Sequence, residues 1–387
     1  MRKRRYIFEG EESSGYLSNN ISLVRTIEDF KEFFYVPWVV YKDDPFWVPP
    51  FWREYDNFFR LSNPFWRHAE VKLFIAKRNN IACGRIAVFI DHMFWKIIGE
   101  KIGFFGFFES IEDYETMNSL FEVVKQWMRS KGIKKIWGPI NGRIDIGCGF
   151  LYKGFDEPPS ILSSYSPRYY LDFVEKLGMK PLRDQLLYKV DLDKPLSVEL
   201  ELSARNCLDN GIHIRKFNRL RANRELKWWI PFMIDVFSNH WGYIPVSYDE
   251  VKTRFGIREI RWFIDPSLFI IAEVDKKPIA FLWATPDYNQ IFRKMDGKIN
   301  ARNYIKFLFN KHNINIGKLH LIGIKEEYRN QGIASCLNYY VLREMQKREY
   351  KLAEIGWVDE KNEASIRILE KANAKPYKRY RVYELKL

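Results

Sequence analysis

The stretch KLHLIGIKEEYRNQGIASCLNYYVLREM, residues 318–345, decides the fold of the second half of this chain. It begins with a short apolar run, residues 318–324, that is typical of a central β-strand. After Gly332, apolar residues recur with the spacing of one helix face: Ile333, Leu337, Tyr340, Val341 and Met345. The loop over 329–334 is therefore predicted to lie between a strand end and a helix N-terminus.

Such a loop has the properties of an anion-binding site. The main-chain N–H groups at a helix N-terminus are unpaired, and the helix dipole is positive there. Gly332 allows the main chain to approach a bulky diphosphate, and Ala334 keeps the next turn slim. Arg329 can add a bidentate contact to an anion. The alternative is that Gly332 is only a tight-turn residue, and the loop by itself leaves both interpretations open.

The chain repeats itself at a spacing of 195 residues. LFIAKRNNIACGRIAVFID begins at Leu73 and LFIIAEVDKKPIAFLWATPD begins at Leu268, and 268 − 73 = 195. EKLGMKPLRDQLLYKVDL begins at Glu175 and EKANAKPYKRYRVYELKL begins at Glu370, and 370 − 175 = 195. Two matches at one offset and in one order indicate a duplicated domain, and a length of 387 residues fits two domains.

The repeat divides the chain into four segments. We predict a loose tail over 1–20, a first copy over 21–192, a linker over 193–211 and a second copy over 212–387. Each copy reads as strand, helix, hairpin, strand, helix, strand, helix and strand. This order predicts an α/β domain of three layers, with a mixed, mostly antiparallel sheet flanked by helices on both faces.

The motif R-x-x-G-x-A after a strand, residues 329–334, resembles the acyl-CoA pyrophosphate loop of the GNAT superfamily of N-acyltransferases. The next element, LAEIGWVDEKNEASIRILEKANAKPY (352–377), has Asn362 between a strand and a helix, as the second motif of the superfamily has. The resemblance covers 212–387 and reaches the first copy through the repeat. The tandem chain resembles the YghO-like bacterial group, and it is similar to bacterial N-acyltransferases that acylate long-chain amines such as sphingoid bases.

The resemblance implies two tandem GNAT-like domains and a set of residues that bind acyl-CoA. Main-chain groups of Ile322 and Ile324, on either side of Gly323, would pair with the pantetheine arm. Asn362 would bond the pantetheine or orient the next helix. The pyrophosphate would be held beside Arg329 by the amides of Asn330, Gln331, Gly332, Ile333, Ala334 and Ser335. The donor would be acetyl-CoA or a longer acyl-CoA, and no metal is expected.

The first copy lacks this loop. At the matching place it reads GFFGFFESIEDYETMNSLFEVV, residues 103–124, with no glycine after the strand. Four acidic residues crowd the turn: Glu109, Glu112, Asp113 and Glu115. Carboxylates cap a helix N-terminus and repel a diphosphate. We therefore predict that the first copy does not bind CoA.

Transfer of an acyl group from a thioester to an amine requires a base, because an alkyl ammonium has a pKa of about 10.4. It also requires a donor to the developing oxyanion, such as the N–H of Ile324. The candidate bases are His320 and Glu354, on two strands expected to line the cleft. A hydrogen-bonded core position is the alternative for His320, and a water chain could replace both side chains.

The departing thiolate also needs a proton or solvation, which a tyrosine with a pKa of about 10 can supply as the general acid. Many GNAT enzymes place a tyrosine on the helix after the asparagine, where this chain has Leu369. Tyr380 on the terminal strand, or Tyr339 or Tyr340 on the loop helix, could replace it, although core packing is the commoner role of a tyrosine.

On the acceptor side, SNHWGYIPVS (238–247) is expected to form a lid with Trp241 and Tyr243 as apolar walls. Asp287 either faces the acceptor or belongs to a turn.

The amino-acid composition narrows the classes of partner that this protein could bind. The formal charge of +14 and a pI of about 9.3 favour an anionic partner, which could be nucleic acid, a membrane surface or a phosphorylated cofactor. No apolar run approaches the length of a spanning helix, so at most peripheral membrane contact is expected. Four widely separated cysteines indicate reduced thiols in a cytoplasmic protein, with neither a disulfide framework nor a metal site.

Two other functions compete with an acyl-CoA N-acyltransferase. Tandem GNAT-like transferases that use aminoacyl-tRNA share the two-copy design, and the positive charge suits RNA. The R-x-x-G-x-A loop argues against this alternative, because that motif serves a diphosphate. A binding protein for acyl-CoA or an anionic surface, without catalysis, would explain the missing tyrosine. Identity of the acceptor, acyl length and oligomeric state do not follow from the sequence.

Overall fold

The structure is a computed structural model that describes residues 5–9, 20–238, 240–244, 246–254 and 264–387. The larger part of the expected N-terminal tail lies outside the described residues. The chain divides into two compact units. The first unit comprises Met1–Asp184, Phe292–Asn303 and Tyr380–Leu387, and the second comprises Gln185–Ile291 and Tyr304–Arg379.

The first unit contains a sheet in the order β1-β2-β3-β4-β5. Its strands are β1 (Ile21–Leu23), β2 (Ala69–Arg78), β3 (Ile81–Asp91), β4 (Ile102–Ser110), β5 (Lys135–Gly138) and β6 (Phe150–Lys153). Its helices are α1 (Ile27–Val40), α2 (Trp52–Phe58), α3 (His92–Ile98), α4 (Tyr114–Ser130) and α5 (Tyr170–Lys176). Neighbouring strands are antiparallel except for β4 and β5, which are parallel. Helix α4 packs its apolar face, including Phe121 and Val124, on this sheet.

The second unit contains a sheet in the order β7-β12-β11-β10-β9-β8. The strands from this point on are β7 (Lys180–Asp191), β8 (His213–Lys216), β9 (Phe269–Val274), β10 (Lys277–Pro286), β11 (Ile316–Ile324), β12 (Leu352–Asp359) and β13 (Lys375–Lys386). The start of β7, through Asp184, and the end of β13, from Tyr380, belong to the first unit. The helices from this point on are α6 (Val198–Asp209), α7 (Ala222–Phe237), α8 (Tyr248–Arg254), α9 (Asn289–Phe292), α10 (Ala301–Asn310), α11 (Ile333–Lys347) and α12 (Glu363–Lys371). Only β11 and β12 form a parallel pair among these neighbours.

Strand β10 shows how the second sheet is buried on both faces. Ala280 and Leu282 belong to the cluster that includes α6 and α11, whereas Phe281 and Trp283 belong to the cluster that includes α7. Successive side chains of a strand point to opposite faces, so this alternation places one helical layer on each side. The prediction of a mixed, mostly antiparallel sheet flanked by helices is confirmed in both units.

The units differ from the linear division read from the sequence at three segments. Residues 185–191, the end of the predicted first copy, pair with β12 in the second unit. Residues 380–387, the end of the predicted second copy, belong to the first unit, where Tyr383–Lys386 pair with β5. The segment 292–303 also belongs to the first unit. Main-chain hydrogen bonding joins strands that are far apart in sequence, and the repeat by itself carries no information about that pairing.

The predicted linker, 193–211, contains helix α6. Ser197 caps its N-terminus by accepting a hydrogen bond from the N–H of Leu200 at 3.3 Å. Leu200, Ala204 and Cys207 follow at spacings of four and three and are buried in the same cluster as α11. Among the described residues, no helix is both long and apolar enough to cross a lipid bilayer.

In the first unit, Glu109 lies in a buried polar cluster. Its Oε2 accepts hydrogen bonds from the hydroxyls of Tyr41 at 2.8 Å and Tyr170 at 3.0 Å. Arg85 lies on the paired strand, with 3.9 Å between its Nη2 and Oε1 of Glu109. Burial raises the pKa of Glu109 to about 7, although the guanidinium of Arg85 and the two hydroxyls act in the opposite direction. The glutamate predicted to crowd the helix turn is therefore an interior residue of β4.

This raised pKa predicts that the first unit loses stability as the pH rises. Between about pH 4.5 and pH 7 the unfolded chain releases the proton of this carboxyl group, while the folded state keeps it on Glu109. The free energy of unfolding is therefore lower by about 3 kcal/mol above pH 7 than below pH 4.5. We expect Glu109→Gln to remove this term, so that the variant gains stability over the wild type at pH 8 but not at pH 4. Urea unfolding across this range measures it. An exposed carboxylate on the following turn, Glu112, provides the control variant Glu112→Gln, and an equal gain there would contradict the assignment.

Candidate functional site

Strands β11 and β12 pair over only part of their length. Their parallel register runs from Ile316 opposite Leu352 to Leu319 opposite Ile355. Beyond this point β11 continues along β10 as far as Ile324, and β12 continues along β7. The edge of β11 that faces β12 is therefore outside this ladder over residues 320–324.

One hydrogen bond shows which main-chain groups of β11 face this edge. The N–H of Lys325 donates to the carbonyl of Ile279 on the β10 side at 3.0 Å. In an antiparallel pair, residues that bond across the ladder alternate with residues whose N–H and C=O point away from it. The main-chain groups of Gly323 therefore face β10, and those of Ile322 and Ile324 face the edge that β12 has left.

The loop after β11 ends in an uncapped helix N-terminus. Gly332 is the N-cap of α11 with φ +77°, and no side chain caps the helix there. The first hydrogen bond of the helix runs from the N–H of Cys336 to the carbonyl of Gly332 at 3.0 Å. Within the described part of the chain, the N–H groups of Ile333, Ala334 and Ser335 donate to no protein acceptor. Several amide donors at the positive end of the helix dipole are thus available to an anion.

The first unit shows the opposite arrangement at the matching helix. Asp113 is the N-cap of α4, and its Oδ2 accepts a hydrogen bond from the N–H of Thr116 at 2.9 Å. The hydroxyl of Thr116 also donates to this carboxylate. The protein's own carboxylate therefore already occupies the anion-binding end of α4. That the first copy does not bind CoA stays a prediction, and Asp113 is its physical basis.

The surroundings of Gly332 are open. A Cβ atom built on Gly332 would have the Cβ of Ser203, at 4.0 Å, as its nearest neighbour among atoms beyond the adjoining residues. Arg329, Asn330 and Gln331 are exposed, and the side chain of Gln331 donates to the carbonyl of Glu327 at 3.1 Å. A bulky ligand can therefore reach the loop without displacing a packed side chain.

His320 lies in a β-bulge, where the ladder leaves one residue of β11 unpaired. Leu321 is opposite Trp283 and Leu319 is opposite Ala284, so His320 is the extra residue. Its Nε2 lies 2.8 Å from the hydroxyl oxygen of Thr285, and its ring centroid lies 4.7 Å from that of Trp283. Burial lowers the pKa of His320 well below its ordinary value, and the nearby Lys318 ammonium lowers it further. The imidazole is therefore neutral at pH 7.

Glu354, the other candidate base, forms an ion pair with Lys318. The two residues are opposite each other in the β11–β12 ladder, and both are buried, with 3% and 1% of their surfaces exposed. A carboxylate in a buried ion pair is a poor proton acceptor for a substrate, because separating it from its partner in a low dielectric is costly. This contact favours a structural role for Glu354.

The ion pair predicts an asymmetric response to substitution. Glu354→Leu leaves the Lys318 ammonium buried without this carboxylate, so we expect a loss of about 3–5 kcal/mol in the free energy of unfolding. The double variant Lys318→Met, Glu354→Leu removes both charges and should lose less than Glu354→Leu alone. Urea unfolding of the two single variants and the double variant tests this. Additive losses in the double variant would show that the two charges are not coupled.

Asn362 and Leu369 have structural positions on α12. Asn362 is the N-cap of this helix, and its side chain accepts a hydrogen bond from the N–H of Ser365 at 3.1 Å. Of the two roles expected for Asn362, this bond supports orientation of the helix. Leu369 is 3% exposed and belongs to the core cluster around α11.

The candidate tyrosines stand on two different elements, β13 and α11. Tyr380 belongs to the first unit, where it is fully buried. Tyr339 and Tyr340 are half-buried on α11 and pack against its core cluster, with their ring centroids 5.8 Å apart. Neither Tyr339 nor Tyr340 is hydrogen-bonded to His320 within the described residues.

The expected acceptor residues lie at two different places. Trp241 and Tyr243 are half-buried in the segment after α7, and the hydroxyl of Tyr243 donates to the carbonyl of Ile234 at 3.2 Å. Two residues of this expected lid, 239 and 245, lie outside the described residues. Asp287 is buried beside the start of β11, where its N–H donates to the carbonyl of Ile316 and its Oδ1 accepts from the N–H of Asn289 at 3.2 Å. The turn interpretation of Asp287 is the one this geometry supports.

Three site residues were missed in the sequence. Thr285 and Lys318 were missed because they act through partners more than thirty residues away, at His320 and Glu354. His240 was missed although it stands in the expected lid segment. Partial burial lowers its pKa, the positive charge of Arg329 lowers it further, and Asp359 opposes this. The charges of Arg329, in the loop, and of Asp359, at the end of β12, thus both act on the pKa of His240 in the segment after α7.

Comparisons with known proteins show which family and which proteins this chain is similar to. Residues 233–373 match the acetyltransferase (GNAT) family. The chain is 28% identical over 381 residues to protein YghO of Escherichia coli K12, covering 95% of this chain and 97% of that protein. It is also 28% identical over 369 residues to a bacterial ceramide synthase of Caulobacter vibrioides, covering 93% and 96%.

Solved structures share the fold at low sequence identity. A tandem GNAT protein from the clavulanic acid biosynthesis pathway has a TM-score of 0.54 at 10% identity, covering 95% of this chain and 98% of that one. A GCN5-related glucosamine N-acetyltransferase region of a fungal multi-domain β-N-acetylglucosaminidase has a TM-score of 0.53 at 13% identity. That match covers 95% of this chain but 38% of the longer fungal chain. The expected fold of two tandem GNAT-like domains is confirmed.

Proposed function

Because residues 233–373 match the acetyltransferase (GNAT) family, we propose that this chain transfers an acyl group from acyl-CoA to an amine. The second unit would carry the reaction. The observation that supports this most directly is the uncapped N-terminus of α11 at Gly332, whose amide donors have no acceptor in the described protein. The residues present fit a diphosphate, since amides at a helix N-terminus bind phosphate groups.

The pantetheine arm would bind along the edge of β11 that β12 has left. The main-chain groups of Ile322 and Ile324 face this edge and can pair with an extended amide chain as a neighbouring strand would. Arg329 is exposed beside the loop and can contact the phosphates. Asn362 would hold α12 in place through its cap.

When bound, acyl-CoA supplies an activated thioester, and the protein supplies position and proton transfer. The N–H of Ile324 is a donor on the open edge and can stabilise negative charge that develops on the carbonyl oxygen. His320 is neutral at pH 7 and can take a proton from the amine. When the hydroxyl of Thr285 accepts from Nε2–H, Nδ1 of His320 keeps its lone pair for that proton. Its low basicity lets the imidazole release the proton again. As the amide bond forms and the C–S bond breaks, CoA would leave as a thiol once its sulfur has taken up a proton, from the imidazole or from solvent.

The acceptor we propose is a long-chain amine. The similarity to a bacterial ceramide synthase supports this class, since ceramide is the N-acyl derivative of a long-chain amino alcohol. Trp241 and Tyr243 would contribute apolar surface to the acceptor side. Release of free thiol in the presence of a panel of amines and acyl-CoA lengths tests the acceptor and donor together. Turnover with aminoacyl-tRNA and none with acyl-CoA would favour the alternative donor.

The loop predicts that a carboxylate at position 332 blocks the donor site. Gly332→Asp places a negative charge where the phosphates would bind, so we expect at least a tenfold loss of acetyl-CoA affinity by isothermal titration, about 1.4 kcal/mol. Gly211→Asp is a matched control, because Gly211 has φ +75° and its Cβ would meet nothing within 4 Å. The two variants should lose similar stability from the strained main chain. Unchanged affinity in Gly332→Asp would refute the proposed donor site.

His320 predicts the acid limb of the pH profile. Because the pKa of His320 is lowered, its imidazole stays neutral and able to accept a proton at every pH above the ordinary histidine pKa of about 6.5. Activity should therefore fall only below about pH 6.5. His320→Gln keeps a hydrogen-bonding group for Thr285 but takes up no proton. We expect kcat/KM to fall by about 10²-fold or more and the acid limb to disappear. The control is His213→Gln, at an exposed histidine of β8. An acid limb that persists in His320→Gln would assign the proton to another group.

A further inference from the structure

Helix α10 exposes most of its apolar side chains. Tyr304 is 42% exposed, Ile305 52%, Leu308 40% and Phe309 72%. Soluble proteins seldom leave several large apolar residues exposed together, and a contiguous set of them marks an interaction surface.

These residues form one face of the helix. Taking about 100° of rotation per residue, Tyr304, Leu308, Ile305 and Phe309 fall within an arc of about 140°. Ile299, which precedes the helix, is 62% exposed and adds to the apolar surface of this segment.

Other contacts hold the helix to the protein. The side-chain amide of Asn303, which is buried, donates to the carbonyls of Met295 at 3.0 Å and Lys298 at 2.8 Å. Phe307 is half-buried, and its ring centroid lies 5.6 Å from that of Tyr288. Asn303 and Phe307 lie on the side of the helix away from the arc, so the exposed apolar face is not needed to attach α10.

The charged side chains on this helix and in the neighbouring sequence have one sign. Arg302 and Lys306 follow Phe309 around the helix, and Lys311 stands just beyond its end. All three are exposed. No aspartate or glutamate occurs between residues 297 and 325. An apolar face bordered by lysine and arginine is the composition of a helix that lies in the interface of an anionic membrane.

We propose that α10 docks this protein on the surface of an anionic lipid bilayer, with Ile305, Leu308 and Phe309 inserted among the lipids and Arg302 and Lys306 at the headgroups. The helix would lie in the plane of the interface. This proposal concerns a surface separate from the loop at Gly332 and does not depend on the proposed reaction. A partner that lacked either an apolar interior or a negatively charged surface would not need both the apolar residues and the cations of this helix.

Flotation of the full chain with vesicles tests the proposal. We expect binding to vesicles of equal parts phosphatidylglycerol and phosphatidylcholine, and much weaker binding to phosphatidylcholine alone. Arg302→Gln with Lys306→Gln should weaken binding to the anionic vesicles by about thirtyfold, since each cation near such a surface contributes about fivefold. Lys276→Gln with Lys277→Gln, at exposed lysines of the β9–β10 turn, should change it far less.

Apolar variants test the inserted face. Ile305→Gln with Phe309→Gln should reduce vesicle binding at least tenfold while leaving the thermal midpoint within a few degrees, because the side chains are exposed. Leu220→Gln is the control, since Leu220 is 93% exposed on another element. Undiminished binding in the double variant, an equal loss in the control, or equal binding to neutral vesicles would overturn the proposal. So would sedimentation showing that the double variant turns a dimer into a monomer without affecting vesicle binding.

Discussion

The early end of the β11–β12 ladder is the constraint on which the candidate site depends. Four residue pairs hold the two strands together, and then each strand follows a different neighbour. A buried main-chain N–H or C=O must find a partner, so an edge left in this way favours an extended ligand or water. The bulge at His320 lies just beyond the last pair, at Leu319 and Ile355, which places an ionisable side chain where the strands begin to part.

The two copies use the same helix terminus in opposite ways. In the first unit the carboxylate of Asp113 caps α4, so the amides at that terminus already have an anionic partner. In the second unit Gly332 provides the turn but no cap, and the amides of α11 stay available. A duplication can therefore keep its fold in both copies while only one keeps the electrostatics of an anion site.

Each unit is built from segments that lie far apart in the sequence. The first unit needs the C-terminal segment, since Tyr383–Lys386 complete its sheet beside β5. Arg381 in that segment binds Asp184 through two hydrogen bonds, at 2.7 Å and 2.8 Å. Cutting the chain at the boundary of the repeat would remove this strand from the first unit, so isolated copies would not reproduce the folded units.

The sequence by itself determined the features that depend on neighbouring residues: the repeat, the layered α/β order and the turn at Gly332 between a strand and a helix. Periodicity and capping act over a few residues and can be read locally. Tertiary structure alone decided which side chains meet. The pairing of Glu354 with Lys318, and of His320 with Thr285, depends on strand register across more than thirty residues. Register is set by the packing of the whole sheet, which no local pattern contains.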